Sequence, residues 1–266
     1  MTKEEFFLKM LPSESNQTYE MLKARGFLIF QNGNKYYLSD NSSRCDADYL
    51  AELLSKYNLG TLENRKVINS TDETQNYIAE LDLNAETSFQ NLISAFEDIL
   101  YIGAEYHYDR EATWSFFLNR IYGDKVPVRW LEPYVARYIK AVSACGIRTY
   151  CSCDGNHTPR QKIIIDCYNI FDWWHNWIYH NLVPTEYQSK RDTDGSIAFT
   201  KRTQYDEYYK LNKAAEWLYD NRLSIRKMKK DLRELVKGKI KIYKATEQEC
   251  EDAFLSSLNQ LMEERK

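Results

Sequence analysis

The stretch G-I-R-T-Y-C-S-C-D-G-N-H-T-P-R-Q-K-I-I-I-D-C, residues 146–167, decides the fold. Before it, L-E-P-Y-V-A-R-Y-I-K-A-V-S-A-C-G (131–146) places Val135, Tyr138, Ile139 and Val142 on one helical face. Gly146 is a helix stop of the expected kind. From Ile147 the period changes from helical to alternating. I-R-T-Y-C-S-C and K-I-I-I-D-C-Y read as two strands joined by the polar turn D-G-N-H-T-P-R-Q. N-I-F-D-W-W-H-N-W-I-Y-H-N (169–181) then returns to a helical period. Helix, strand, turn, strand and helix in sequence point to an α+β chain rather than a bundle.

The flanks extend this pattern. Residues 2–11 and 14–25 read as helices split by Pro12, the second stopped by Gly26. Two β-rich runs flank Asn32-Gly33, a hairpin signal. A helix is expected from Asp46 or Asp48 through Leu54, and another from Thr71 to about Leu83. These make a small N-terminal α+β unit with a hairpin, residues 1–84. The larger unit, 85–266, opens with helical segments at 85–106 and 110–123. Two strands are expected around Asp194-Gly195. A long helix follows from Gln204 to Val236, bent near Asn221. K-I-K-I-Y-K (239–244) reads as a short strand, and Thr246 with Glu249 as a capping box for a last helix. The expected fold is helix-rich α+β, with C-terminal helices packed on a short, mostly antiparallel sheet.

Composition sets outer limits. Of 266 residues, 43% are hydrophobic, and 21 tyrosines with 6 tryptophans supply enough apolar surface to exclude a disordered chain. No apolar run has the roughly 18 residues of a membrane helix. The start M-T-K-E-E-F-F-L-K-M lacks the pattern of a signal peptide, so a soluble, cytoplasmic protein with free thiols is expected. Net charge is only −3, but it is unevenly spread. Residues 1–109 hold 18 acidic and 9 basic side chains, and residues 110–266 hold 21 and 27. Such polarity favours partner binding or oriented self-association.

Three places could carry chemistry. Cys151, Cys153 and His157 have zinc-ligand donor atoms, and Cys145 or Cys167 could complete a tetrahedron. A C-x-C on a strand departs from knuckle spacing, however, and packing is the favoured role, so no metal and no cofactor is assigned. The turn offers backbone N–H groups beside Arg148, Ser152, Asp154, Gly155, His157 and Arg160, a set suited to a phosphate-bearing ligand; an ordinary hairpin loop explains it equally. Cys153 beside His157 is a further, weaker candidate, a nucleophile without a third orienting group.

On 171–181, Trp174, Trp177 and Ile178 share a face with Trp173 beside it, for which core packing is favoured over a partner surface. His175 and His180 are five apart, a poor helical metal pair. Residues 222–244 carry ten basic and two acidic side chains. Arg226, Lys227, Lys229 and Lys230, with Trp173 and Trp177, form the candidate partner-binding set. Nucleic acid is a possible but not favoured ligand of 222–244, and a solvated face is the plain alternative. Dinucleotide, P-loop, H-E-x-x-H and G-x-S-x-G signatures are absent.

Gly146, Ile147, Thr149, Ser152, Cys153, Gly155 and His157 resemble a G-I-x-T-x-x-S-C-x-G-H motif of uncharacterised phage and bacterial proteins, with Asn156 inserted before the histidine. The segment is more loosely similar to the S-C-S-G run of the wybutosine-synthesis tRNA methyltransferase family. In size and character the chain resembles phage counter-defence proteins such as the Gabija inhibitors, which implies inhibition of a host defence complex. The expectation is a non-catalytic, oligomeric protein-binding protein. The alternatives are a phosphate- or nucleotide-ligand protein or enzyme using Ser152–His157, and a zinc-stabilised module.

Overall fold

The computed structural model describes residues 1–39, 42–63, 77–84, 86–99, 126–155, 161–167, 170–241 and 244–263. Among them it forms a helix-rich α+β fold with two small antiparallel sheets. None of these helices is long and apolar enough to cross a membrane.

The chain opens with α1 (Lys3–Met10) and α2 (Gln17–Arg25). Thr2 and Glu5 cap α1 reciprocally: Glu5 N donates to Thr2 Oγ1 at 3.1 Å and Thr2 N to Glu5 Oε2 at 2.7 Å. Gly26 ends α2 at φ +108, and a Cβ there would lie 3.1 Å from the Ala136 backbone. Glycine thus supplies both the left-handed stop and the close approach of two helices.

The hairpin forms, one residue later than the Asn32-Gly33 reading. β1 (Ile29–Asn32) and β2 (Lys35–Ser39) pair Asn32 with Lys35, so Gly33-Asn34 is the loop. Gly33 alone of the two has positive φ, at +60, as a type II′ turn requires. The helix α3 (Arg44–Lys56) is capped by Ser43 with Asp46. The helix expected from Thr71 to Leu83 is corrected: residues 71–76 lie outside the described residues, and Tyr77–Leu83 is a strand, β4. Its burial alternates, with Tyr77, Ala79 and Leu81 turned inward. β4 lies between β2 and β3 (Gly60–Glu63), giving the order β1-β2-β4-β3.

The helix α4 (Phe89–Glu97) begins at its Ser88 cap. The rest of the expected helical block, 100–125, lies outside the described residues. A 3-10 turn at Val128–Trp130 leads to α5 (Pro133–Ala144), the central helix, whose Pro133, Tyr134, Val135, Ala136, Tyr138, Ile139, Lys140, Ala141 and Val142 are all buried. It packs on α2, on the strand Thr149–Cys153 and on a long helix nearer the C-terminus.

The opening stretch folds as its period indicates. β5 (Thr149–Cys153) pairs antiparallel with β6 (Lys162–Cys167), and the helix α6 (Ile170–Asn181) follows. Of two strands expected around Asp194-Gly195, only the second forms, as β7 (Ile197–Ala198), which pairs with β6. The residues before the turn make a 3-10 turn at Thr185–Tyr187 instead. The long helix divides at Asn221 into α7 (Gln204–Asp220) and α8 (Arg222–Lys239). Lys239 belongs to α8 and Ile240–Lys241 form no strand, while residues 242–243 lie outside the described residues. The capping box before α9 (Glu247–Glu263) is present: Thr246 N donates to Glu249 Oε2 at 2.7 Å and Glu249 N to Thr246 Oγ1 at 3.3 Å.

One buried apolar cluster runs from Phe6 and Phe7 on α1 through α5 to Leu258 and Leu261 on α9. All six cysteines are free thiols; Cys145, Cys167 and Cys250 are buried and Cys45 is exposed.

Candidate functional site

The turn after β5 was the first candidate. Cys151 lies opposite Asp166 and Cys153 opposite Ile164, so the two thiols share one side of the sheet, as alternation requires. Ser152 faces the other way, opposite buried Ile165. Both thiols are half-buried, and burial pushes Cys153 up to about 11, against the thiolate a nucleophile needs. Cys145 points elsewhere, its Sγ donating to Leu218 O of α7 at 3.4 Å.

The amides of the turn already donate inside the protein. Asp154 N donates to Glu132 Oε2 and Gly155 N to Cys153 Sγ at 3.3 Å. A carboxylate therefore sits where the phosphate reading needs an anion, and its charge opposes a second one. Asp154 and Gly155 are buried. Gly155 has φ +76, and a Cβ would lie 2.7 Å from Lys162 O, so its role is close packing of the turn on β6. Asp154 and Gly155 are thus committed within the turn, Ser152 lies on the strand before it, and Arg148 precedes that strand. His157 and Arg160 lie outside the described residues.

The basic segment becomes a defined surface on α8. Ile225, Met228, Leu232 and Val236 fix its buried face. Arg222, Arg226, Lys230, Arg233 and Lys237 recur at helical spacing along one flank, a stripe about 22 Å long. Arg226, Lys230 and Lys237 are exposed, and Arg222 and Arg233 half-buried. Glu234 pairs with both Arg233 and Lys237, each near 3.2–3.3 Å. Among the described residues Arg222, Arg226 and Lys230 have no acidic partner. Lys227 pairs loosely with Asp231 at 3.8 Å. Leu223, 53% exposed, adjoins the stripe.

Lys229 does not join that surface. It is buried, its Nζ donating to Gly146 O and standing 4.7 Å from the centre of the Phe171 ring. Burial holds its ammonium well below the ordinary lysine range, and Arg233 and Arg226 push the same way. The two tryptophans are half-buried and packed on the core. Trp173 lies 6.1 Å from Phe254, and Trp177 stacks on buried Trp174 at 5.3 Å.

A third group escaped the sequence reading. Cys167 ends β6, and Asp172 and His175 are three apart on α6, hence on one face. A thiol sulfur, a carboxylate oxygen and an imidazole nitrogen from these three all lie within 4.8 Å of one another. His175 Nε2 and Tyr138 Oη are hydrogen-bonded at 2.9 Å, while the buried His175 Nδ1 has no partner among the described residues. Asn176 Nδ2 donates to Asp172 Oδ2 at 3.1 Å, and Arg191 Nη1 donates to Asn176 Oδ1 at 2.7 Å. Burial raises Cys167 and Asp172 above their ordinary values and depresses His175 well below its own. The available signal was D-x-x-H on one helix with a cysteine five residues earlier; pairing His175 with His180 looked at the wrong neighbour.

No family model, curated protein or solved structure matches this chain.

Proposed function

We propose that the chain is a non-catalytic binding protein that takes an acidic protein surface on the basic stripe of α8. The stripe itself carries this reading. Five cations on one helix flank, two of them paired with Glu234, concentrate positive potential that steers an acidic partner. Exposed Leu223 beside them favours protein over a phosphate polymer, since protein interfaces combine an apolar contact with a charged rim. The commitment of the turn amides to Glu132 and Cys153 weighs against the phosphate-ligand alternative. The resemblance in character to phage counter-defence proteins makes a subunit of a host defence complex the partner to try first, and self-association through the acidic N-terminal half remains part of the proposal.

The test is fluorescence anisotropy of labelled polyglutamate and of a labelled DNA duplex, each titrated with the full chain at one salt concentration. Tighter binding of polyglutamate is expected. Tighter binding of the duplex would replace the reading with nucleic-acid binding, and binding of neither would overturn it.

A further inference from the structure

We propose that Cys167, Asp172 and His175 form a binding site for a divalent transition metal of the zinc class. The proposal is independent of the α8 stripe.

The geometry comes first. Donor atoms in a tetrahedral zinc site, with bonds of about 2.0–2.3 Å, stand roughly 3.3–3.8 Å apart. A sulfur, a carboxylate oxygen and one ring nitrogen of these residues already lie within 4.8 Å of one another, so a movement of about 1 Å closes the set. β6 and α6 place them by short connection: the strand ends at Cys167 and the helix brings Asp172 and His175 round on one face.

The imidazole carries the second observation. His175 is 1% exposed, and its Nδ1 is buried with no hydrogen-bond partner among the described residues. A buried polar atom left so is costly, and a metal satisfies it. Tyr138 Oη holds Nε2 at 2.9 Å, which fixes the ring and leaves Nδ1 as the ligating nitrogen. With Nδ1 on the metal, Nε2–H donates to Tyr138, the outer-shell arrangement that orients metal-bound histidines. Asn176 does the same for Asp172 at 3.1 Å.

Charge and softness identify the ion. A thiolate and a carboxylate balance a dication, with the imidazole neutral. Binding displaces the Cys167 proton to solvent. Arg191, held at Asn176 and over the Tyr179 ring at 4.2 Å, adds one positive charge nearby, and Asp166 lies on the opposite side of that balance. Mixed S, N and O donors suit zinc or cobalt and disfavour magnesium and calcium, which take oxygen alone. Asp172 is only half-buried, so the fourth position opens on the solvent side, where water would complete the tetrahedron.

Cobalt(II) titration of the full chain tests this. One equivalent is expected to produce visible d–d bands with thiolate-to-cobalt charge-transfer absorption, both lost on adding zinc. Asp172→Asn should weaken uptake at least tenfold, and Cys167→Ser should abolish the charge-transfer band. Cys151→Ser/Cys153→Ser should change neither. Circular dichroism identifies a variant that has not folded; should Cys167→Ser fail to fold, Asp172→Asn on its half-exposed edge decides. No cobalt uptake by folded wild type, uptake unchanged in Asp172→Asn, or loss of the band in the Cys151→Ser/Cys153→Ser variant would each overturn the proposal.

Discussion

Lys140 Nζ stands 2.8 Å from Asp46 Oδ2, with the two side chains 3% and 1% exposed. The pair ties α3 to α5 across 94 residues of chain. Asp46 also accepts from Val128 N at 2.7 Å and caps α3 with Ser43, while Lys140 donates to Val126 O at 3.0 Å. The other hydrogen bonds of the two charges go to backbone near them, which helps an ion pair sit in a core.

Removing one partner should cost much more than removing both. Asp46→Asn leaves the Lys140 ammonium buried beside a neutral amide, and a loss of about 3–5 kcal/mol is expected in urea unfolding. Asp46→Asn with Lys140→Met should recover part of that loss. A double variant less stable than Asp46→Asn alone would show that the two residues act separately.

Lys229 gives a pH dependence of definite sign. Its folded pKa lies well below the ordinary value because of burial. Between that depressed pKa and about 10.4, the unfolded chain binds one more proton than the folded one, so stability rises with pH. The buried thiols act oppositely, their raised pKa values lowering stability above about pH 8.5, so the useful window runs from the depressed Lys229 pKa to about pH 8.5. Wild type should gain stability relative to Lys229→Met across that window. A constant difference between the two would show that Lys229 is not deprotonated more readily in the folded state.

Gly155 separates a packed turn from a ligand turn. A Cβ there meets Lys162 O at 2.7 Å and Phe199 at 2.9 Å, and φ is +76. Gly155→Ala should destabilise the protein by about 1–3 kcal/mol through contact and backbone strain. Ser152→Ala should leave polyglutamate binding unchanged. Loss of that binding in folded Ser152→Ala would return the turn to the functional surface.

The α+β architecture was legible because the period switches abruptly at Gly146, and Gly26 and Thr246–Glu249 mark helix ends by local chemistry alone. What failed depended on distant partners. Y-I-A-E-L-D-L has apolar residues compatible with either period, and pairing with β2 and β3 makes it a strand. The residues before Asp194 form a 3-10 turn at Thr185–Tyr187, and only β7, after the turn, pairs with β6. The basic run 222–244 pointed to this helix, but its composition could not separate Arg226 and Lys230 from Lys229, which turns inward to Gly146 O. The Cys167–Asp172–His175 group needed the strand-to-helix connection, and Tyr138 reaches it from another helix.

The stripe is tested most directly by comparing two double variants that change net charge equally. Arg226→Glu/Lys230→Glu alters α8, and Lys201→Glu/Arg202→Glu alters exposed cations in the turn before α7. Polyglutamate affinity should fall at least tenfold in the first and stay within about twofold of wild type in the second, since a docked surface is local whereas net charge is not. Equal losses in both would reduce the effect to general electrostatics and remove the α8 surface as the binding site.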